Sequence, residues 1–408
     1  MMVNNRQTLL VRSLEFCSPQ DAKNTLDKIG VDAHGVLAML SKTQSVNILI
    51  SKQESKIANI IKQEMLSVGG DAAVARGVID CSVSHSDILI IGSHKQVKRF
   101  CEKLTHQPFG LNNIANEIKK LLANITRDSF SFKTARREIL LGKRTLIMGI
   151  LNITPDSFSD GGSFLEPSIA IDKAIAMIDD GADIIDIGGE SSRPGAIAIS
   201  KQEEMDRVLP IIEGISSRAD IPISIDTTKS AVAEMAIRVG AEIVNDISAL
   251  TFDAKMIDVV SKNKAGLILM HMRGNPENMQ KENIVYDDII GDITGFLQQQ
   301  TKFAVERGVG QESIIIDPGI GFGKKLEDNL NIIKRLDEFS SMGFPLLIGI
   351  SRKSFIGTLT NETVAQKRIE GSLASLCVAV WNGAKIARVH DVTQTKKMLA
   401  VLDAIKVA

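Results

Sequence analysis

The sequence predicts an α/β chain, a closed (β/α)8 or TIM barrel preceded by a smaller α/β domain, and three observations carry that expectation. From Arg144 onward, short runs rich in Ile, Val and Leu alternate with longer segments of helical period, the rhythm of βαβ units. Eight such runs occur, each followed by a segment able to form a helix, which is the number a barrel needs for closure. No turn between them carries the GxGxxG pattern of an open dinucleotide-binding sheet, the rival arrangement of parallel strands.

The strands are expected at 145–151, 183–187, 222–225, 242–245, 266–270, 313–316, 346–350 and 385–389. A parallel barrel strand is covered on both faces, so it should be apolar at nearly every position, as ADIIDIG, AEIVND and AGLILMH are. Crossover helices show at 200–218, where Met205, Val208, Leu209, Ile211, Ile212 and Ile215 mark one face, and at 286–307. Residues 129–142 read as a short hairpin capping the barrel floor, so the barrel domain is expected to span 129–408. Residues 1–128 read as the small α/β domain, with strands at 47–50 and 87–91 and helices at 54–68, 96–104 and 111–125. Its role is not legible.

Composition narrows the partner. Forty-eight basic residues against 49 acidic ones leave a formal charge of −1, which gives no footprint for nucleic acid or an anionic membrane surface. No apolar run is long enough to cross a bilayer. Cys17, Cys81, Cys101 and Cys377 show no CxxC spacing, and the first residues lack a signal-peptide pattern, so a reduced, cytoplasmic protein acting on small molecules is expected.

In a closed βα barrel only the C-terminal rim gathers residues from every unit. Here the strand ends carry Asn152, Asp186 with Glu190 and Arg193 beyond it, Asp226, Asn245 with Asp246, His271 with Arg273, Asp317, Ser351 to Lys353, and Arg388 with His390. Asp226, Asn245 and Asp317 offer acceptors for a flat ligand with N–H donors along one edge. Arg193, Lys353, Arg388 and His390 suit an anion such as phosphate.

These motifs resemble those of the dihydropteroate synthases. LIMGILNITPDSFSDGG at 146–162 and GADIIDIGGESSRPGA at 181–196 look like the family's two signatures, and PISIDTTKS, EIVNDIS, LMHMRGNPENMQ, IIIDPGIGFGKK, LLIGISRKSFIG and ARVHDV continue the resemblance in order to the end of the chain. It implies an enzyme that joins 6-hydroxymethyl-7,8-dihydropterin diphosphate to p-aminobenzoate with loss of pyrophosphate, by an SN1-like displacement assisted by Mg2+. It further implies that Asp226, Asn245, Asp317 and Lys353 hold the pterin edge, that Arg388 lies against its face, and that Met270, Ile247 and Phe322 line the slot. Asn152 matches the magnesium-associated asparagine, while Arg193, Arg388 and His390 match the groups that receive pyrophosphate. Phe158, Ser192, Pro194 and Ser351 are the implied p-aminobenzoate contacts, on or beside two mobile loops at 153–164 and 189–200. Ser192 departs from the threonine common at that point, which bears on sulfonamide affinity. Asn152, Asp226, Lys353, Arg388 and His390 are thus the expected catalytic set, in a homodimer.

Blander readings stand beside these. The glycines of 319–324 lack the GK[ST] ending of a phosphate loop and are expected to serve turn geometry. His271 is expected to be a satisfied rim histidine, and Asp186 and Glu190 to anchor the second loop rather than bind metal. The irregular spacing of Cys81, His85, His94 and Cys101 argues against zinc. The functional rival is a methyltransferase of the pterin-binding superfamily, which would share the acceptors and have no use for a pyrophosphate site; an inactive scaffold is the non-enzymatic alternative.

Overall fold

The computed structural model describes residues 10–16, 18–154, 166–191, 195–275, 279 and 285–407, and the chain divides into two compact units, 1–123 and 124–408. In the first unit, strands β1 (Ser45–Glu54), β2 (Asp71–Val74) and β3 (His85–Ser93) form an antiparallel sheet in the order β1-β3-β2. Val46, Ile48, Ile88 and Ile90 alternate with exposed neighbours, as the two-residue period of a strand requires, and bury one face of the sheet under helices Ser55–Ser67 and His94–Leu104. β2 and the helices Pro19–Ile29 and Ala33–Thr43 are additions to the elements expected from sequence.

The second unit opens with a hairpin, β4 (Phe130–Lys133) and β5 (Glu138–Leu141). Eight parallel strands follow: β6 (Leu146–Asn152), β7 (Ile184–Gly188), β8 (Ile223–Asp226), β9 (Ile243–Asp246), β10 (Gly266–Met270), β11 (Ile314–Asp317), β12 (Leu347–Ile348) and β13 (Ile386–Val389). Their order is β11-β10-β9-β8-β7-β6-β13-β12, and a bridge between Ile316 and Leu346 joins the two ends, so the sheet closes into the expected barrel. Each predicted strand has a counterpart. β12 is the shortest, two residues where five were expected, because the chain turns early toward Arg352.

Side chains of one strand face alternately the helices and the barrel axis, and the inward rows explain both stability and site. Leu146, Met148, Ile184, Ile243, Ile268, Ile315, Leu347 and Ile386 pack together inside the barrel with Phe130, Phe132 and Leu141 of the hairpin. Phe132 is fully buried and lies so close beneath β10 that a Cβ added at Gly266 would stand 2.4 Å from its ring. The hairpin is held there by Arg137 and Thr134, which both donate to the buried Glu242. Two residues further along the same rows stand Asp186, Asn245, Met270, Asp317 and Arg388, so the interior changes from aliphatic to polar within one pleat. The floor is a plug and the top is a site.

Candidate active site

Arg388 organises the mouth. Its Nε donates to Asp186 Oδ2 at 2.6 Å and its Nη2 to Asp226 Oδ2 at 2.5 Å, so one guanidinium spans from β13 to β7 and β8. Burial works against its charge, but Asp186 and Asp226 together hold its pKa above the usual arginine value. Asn245 Nδ2 donates to the same Asp186 oxygen at 3.2 Å, which leaves the amide carbonyl of Asn245 as an acceptor for a ligand. Asp226 is pushed upward, first by burial and then by the carboxylates of Asp186, Glu204 and Asp246, with Arg388 opposing.

Asp317 is raised by burial as well, against the Gly319 amide and the charges of Lys353, Arg388 and Lys324. One of its oxygens accepts from Gly319 N at 2.7 Å; no partner for the other is seen among the described residues. Lys353 sits with Nζ 4.0 Å from the centre of the Phe322 ring, and burial, partly offset by Asp317, brings its pKa down to about 8. It reaches this place because Arg352 before it adopts a left-handed conformation, φ 61°. That backbone is fixed three ways: Arg352 pairs with Asp391, its N–H donates to Ser372 Oγ at 3.0 Å, and its carbonyl accepts from Arg368 Nη1 at 3.1 Å.

Ile247, Met270, Phe322 and Met279 form a small apolar cluster at the mouth, with Met272 against it, next to the polar groups just described. Ser351 Oγ lies 3.0 Å from His390 Nδ1 and 3.3 Å from His390 N. Asn152 ends β6 half-buried, and a Cβ at Gly188 would stand 3.6 Å from both its Oδ1 and Asp226 Cβ, so that glycine leaves open the space between them. A cavity of about 240 Å3 runs from Asp226 and Ile247 past Thr227, Lys229 and Glu190. Asn152, Asp226, Asn245, Ile247, Met270, Asp317, Phe322, Ser351, Lys353, Arg388 and His390 thus all belong to the C-terminal end of one barrel. Phe158, Ser192, Arg193 and Pro194, with most of the expected first loop, lie outside the described residues.

One reading changes. Glu190 does anchor its segment, accepting from Ile199 N at 2.8 Å and from Lys229 at 2.9 Å. Asp186 does not: it is fully buried on the barrel axis and orients Arg388 and Asn245 instead. The sequence held that signal, since Asp186 stands in the same inward row position as Asn245, Asp317 and Arg388. His271 is buried and held down to about 2 by burial and by Lys324. Lys324 itself was missed as part of the site; Gly319, Gly321 and Gly323 before it all have positive φ, as the turn reading expected.

The inward rows bring carboxylate and amide acceptors together with buried cations at one end of a parallel α/β barrel. The chain belongs to the pterin-binding enzymes, whose family model matches residues 148–390. The particular relatives are dihydropteroate synthases. That of Synechocystis is 49% identical over 265 residues, 65% of this chain and 91% of that one. A probable bifunctional folylpolyglutamate synthase/dihydropteroate synthase of Halobacterium salinarum is 36% identical over 404 residues, 98% of this chain and 48% of that protein, so the similarity there takes in the first unit too. The Xanthomonas albilineans dihydropteroate synthase solved with 4-aminobenzoic acid superposes with a TM-score of 0.64 at 38% identity, covering 69% of this chain and 99% of that one.

Proposed function

We infer that this chain makes 7,8-dihydropteroate in folate biosynthesis, displacing pyrophosphate from 6-hydroxymethyl-7,8-dihydropterin diphosphate with p-aminobenzoate. The observation that carries the reading is the single network of acceptors and cations, Asp186–Arg388–Asp226 with Asn245, Asp317 and Lys353, at one barrel end beside an apolar wall. The relatives are synthases, which favours this reading over methyl transfer.

The pterin edge presents N–H donors, and the open oxygens of Asp226, Asp317 and Asn245 take them, while Lys353 donates to a ring acceptor. Ile247, Met270 and Phe322 enclose the ring's faces and exclude water. The C–O bond to the diphosphate breaks with its electron pair leaving on pyrophosphate. Positive charge spreads from the methylene into the dihydropterin ring, where the buried carboxylates stabilise it. The amine lone pair of p-aminobenzoate then forms the C–N bond, and the proton the amine loses passes to the departing pyrophosphate. Arg388, with Nη1 not committed to Asp186 or Asp226, and His390 face the departing anion in this reading, joined by Arg193; Ser351, which orients His390, shares the second-substrate side with Phe158, Ser192 and Pro194.

Magnesium fits this donor set as an ion held largely by the substrate's phosphates: among the described residues no group of three His, Cys, Asp or Glu side chains could hold a metal, and the Asn152 amide oxygen beside the gap left by Gly188 is a hard ligand of the right kind. Bound there, it would neutralise phosphate charge as the leaving group departs. The catalytic domain in this reading is 129–408. A cytoplasmic setting is part of it, supported by the free, buried thiol of Cys101. So is a homodimer, supported by the exposed Val378 and Trp381 on helix Ile369–Trp381. Turnover of purified protein with both substrates and Mg2+ tests the whole. Folded protein without turnover, together with unaltered pterin binding by Asp317→Asn, would overturn it.

A further inference from the structure

The apolar wall of the slot comes from two separate pieces of chain. Met270 ends β10, and Phe322 lies on the turn 319–324 that follows β11. Hydrophobic contact alone does not fix such a turn, whose three glycines adopt positive φ and leave little side chain to hold it. Asn329 Oδ1 accepts from Gly321 N at 2.7 Å and Tyr286 OH donates to Gly323 O at 3.0 Å, and a further buried side chain joins the turn to the end of β10. Lys324 is 9% exposed, and its Nζ lies 3.0 Å from His271 Nδ1, 3.3 Å from His271 O and 3.1 Å from Phe322 O.

An ammonium has three N–H groups and no acceptor, and here it meets three acceptors. That match requires neutral Nδ1 on His271, hence the tautomer protonated at Nε2. Burial and the neighbouring Lys324 keep the imidazole neutral, in agreement with that requirement. The ring is placed in turn by an edge-on contact with Phe296, centroids 5.1 Å apart. Burial draws Lys324 down to about 7, with Asp317 and Asp328 opposing and Lys353 reinforcing the fall. Lys324 thus spends its hydrogen bonds on the protein at the back of the slot, with the full ammonium present on the acid side of about 7.

We propose that Lys324 is a positioning residue for the pterin diphosphate, clamping the Phe322 turn to the end of β10 through His271 so that Phe322 and Met270 form one rigid wall. The inference rests on the pterin reading of the slot. Because its hydrogen bonds are taken up by protein groups, Lys324 does not touch the ligand, and its influence passes through Phe322, over which Lys353 lies. Losing the clamp loosens the wall for the pterin substrate and leaves the p-aminobenzoate side alone.

Steady-state kinetics of the full chain, varying each substrate in turn, tests this in Lys324→Met and His271→Phe. Loss of a charge-assisted set of hydrogen bonds predicts about a tenfold or greater rise in KM for the pterin diphosphate in Lys324→Met. KM for p-aminobenzoate should stay at the wild-type value. His271→Phe keeps both carbonyl acceptors and the ring shape, so its pterin KM should rise by less, about two- to fivefold. Wild-type-like pterin KM in both variants, or equal rises in KM for the two substrates, overturns the clamp. If Lys324→Met does not fold, His271→Phe decides alone by the same split. Inactive wild-type protein would instead sink the pterin reading, a result that neither variant can imitate.

Discussion

Replacing Asp186 by asparagine probes the network at its least accessible member. The carboxylate is fully buried, and one oxygen accepts from both Arg388 Nε and Asn245 Nδ2. The amide has nearly the same shape, so no cavity forms. What disappears is the charge. Arg388 keeps its bond to Asp226, so the guanidinium is not left wholly unpaired, and the full cost of breaking a buried ion pair, about 3–5 kcal/mol, is an upper bound. Both bonds weaken when their shared acceptor loses its charge, by about 1 kcal/mol each, giving a stability loss of about 2 kcal/mol. The same shift at Arg388 and Asn245 disturbs the surface that holds the ligand, and about 2 kcal/mol of lost transition-state stabilisation corresponds to a roughly 30-fold fall in kcat/KM. Urea unfolding and steady-state kinetics on the same preparation read both numbers. A variant within about 0.5 kcal/mol of wild type in stability, the range of an inconsequential surface change, and with unchanged kcat/KM would refute the role given to Asp186.

Other consequences follow from the same geometry. Phe132→Ala removes a fully buried ring beneath the barrel and should cost about 3–5 kcal/mol in chemical denaturation while leaving both KM values intact; lost activity in a protein of unchanged stability would contradict the plug. With Lys353 drawn down to about 8, its ammonium is present below that pH and absent above it, so KM for the pterin substrate should climb on the alkaline side with an apparent pKa near 8, and a flat profile from pH 7 to about 9.5 would contradict this. The stability effect runs the other way: between about 8 and the ordinary lysine value the unfolded chain binds more protons, so this group's contribution to stability rises with pH. A chain beginning at Asn124, which keeps the bond from its side chain to Ser341 O, should retain turnover if catalysis is confined to the barrel.

The barrel was legible because buried parallel strands are apolar on both faces, a pattern few other elements share. Their ends ran one residue past the expected limits because Asn152, Asp226, Asp246 and Asp317 read as loop residues while remaining in the ladder. The first unit was harder. β2 is four residues long, and helix Pro19–Ile29 is polar on most positions, although the Ser18–Asp21 capping box was there to be read. In the site, residue types disclosed the chemistry but not the wiring. Which carboxylate Arg388 reaches depends on the stagger of β13 against β7 and β8, and stagger leaves no mark in a sequence. Lys324 was hidden by its company, since a lysine among glycines reads as exposed until burial is known.

The hairpin beneath the strands has an effect on traffic. Because Phe130, Phe132 and Leu141 pack into the lower end, the barrel is, among the described residues, closed at the rear like a cul-de-sac. Both reactants and both products share one doorway, so whichever product lies deeper waits for the shallower one to leave. An order of departure is therefore built into the architecture before any loop moves.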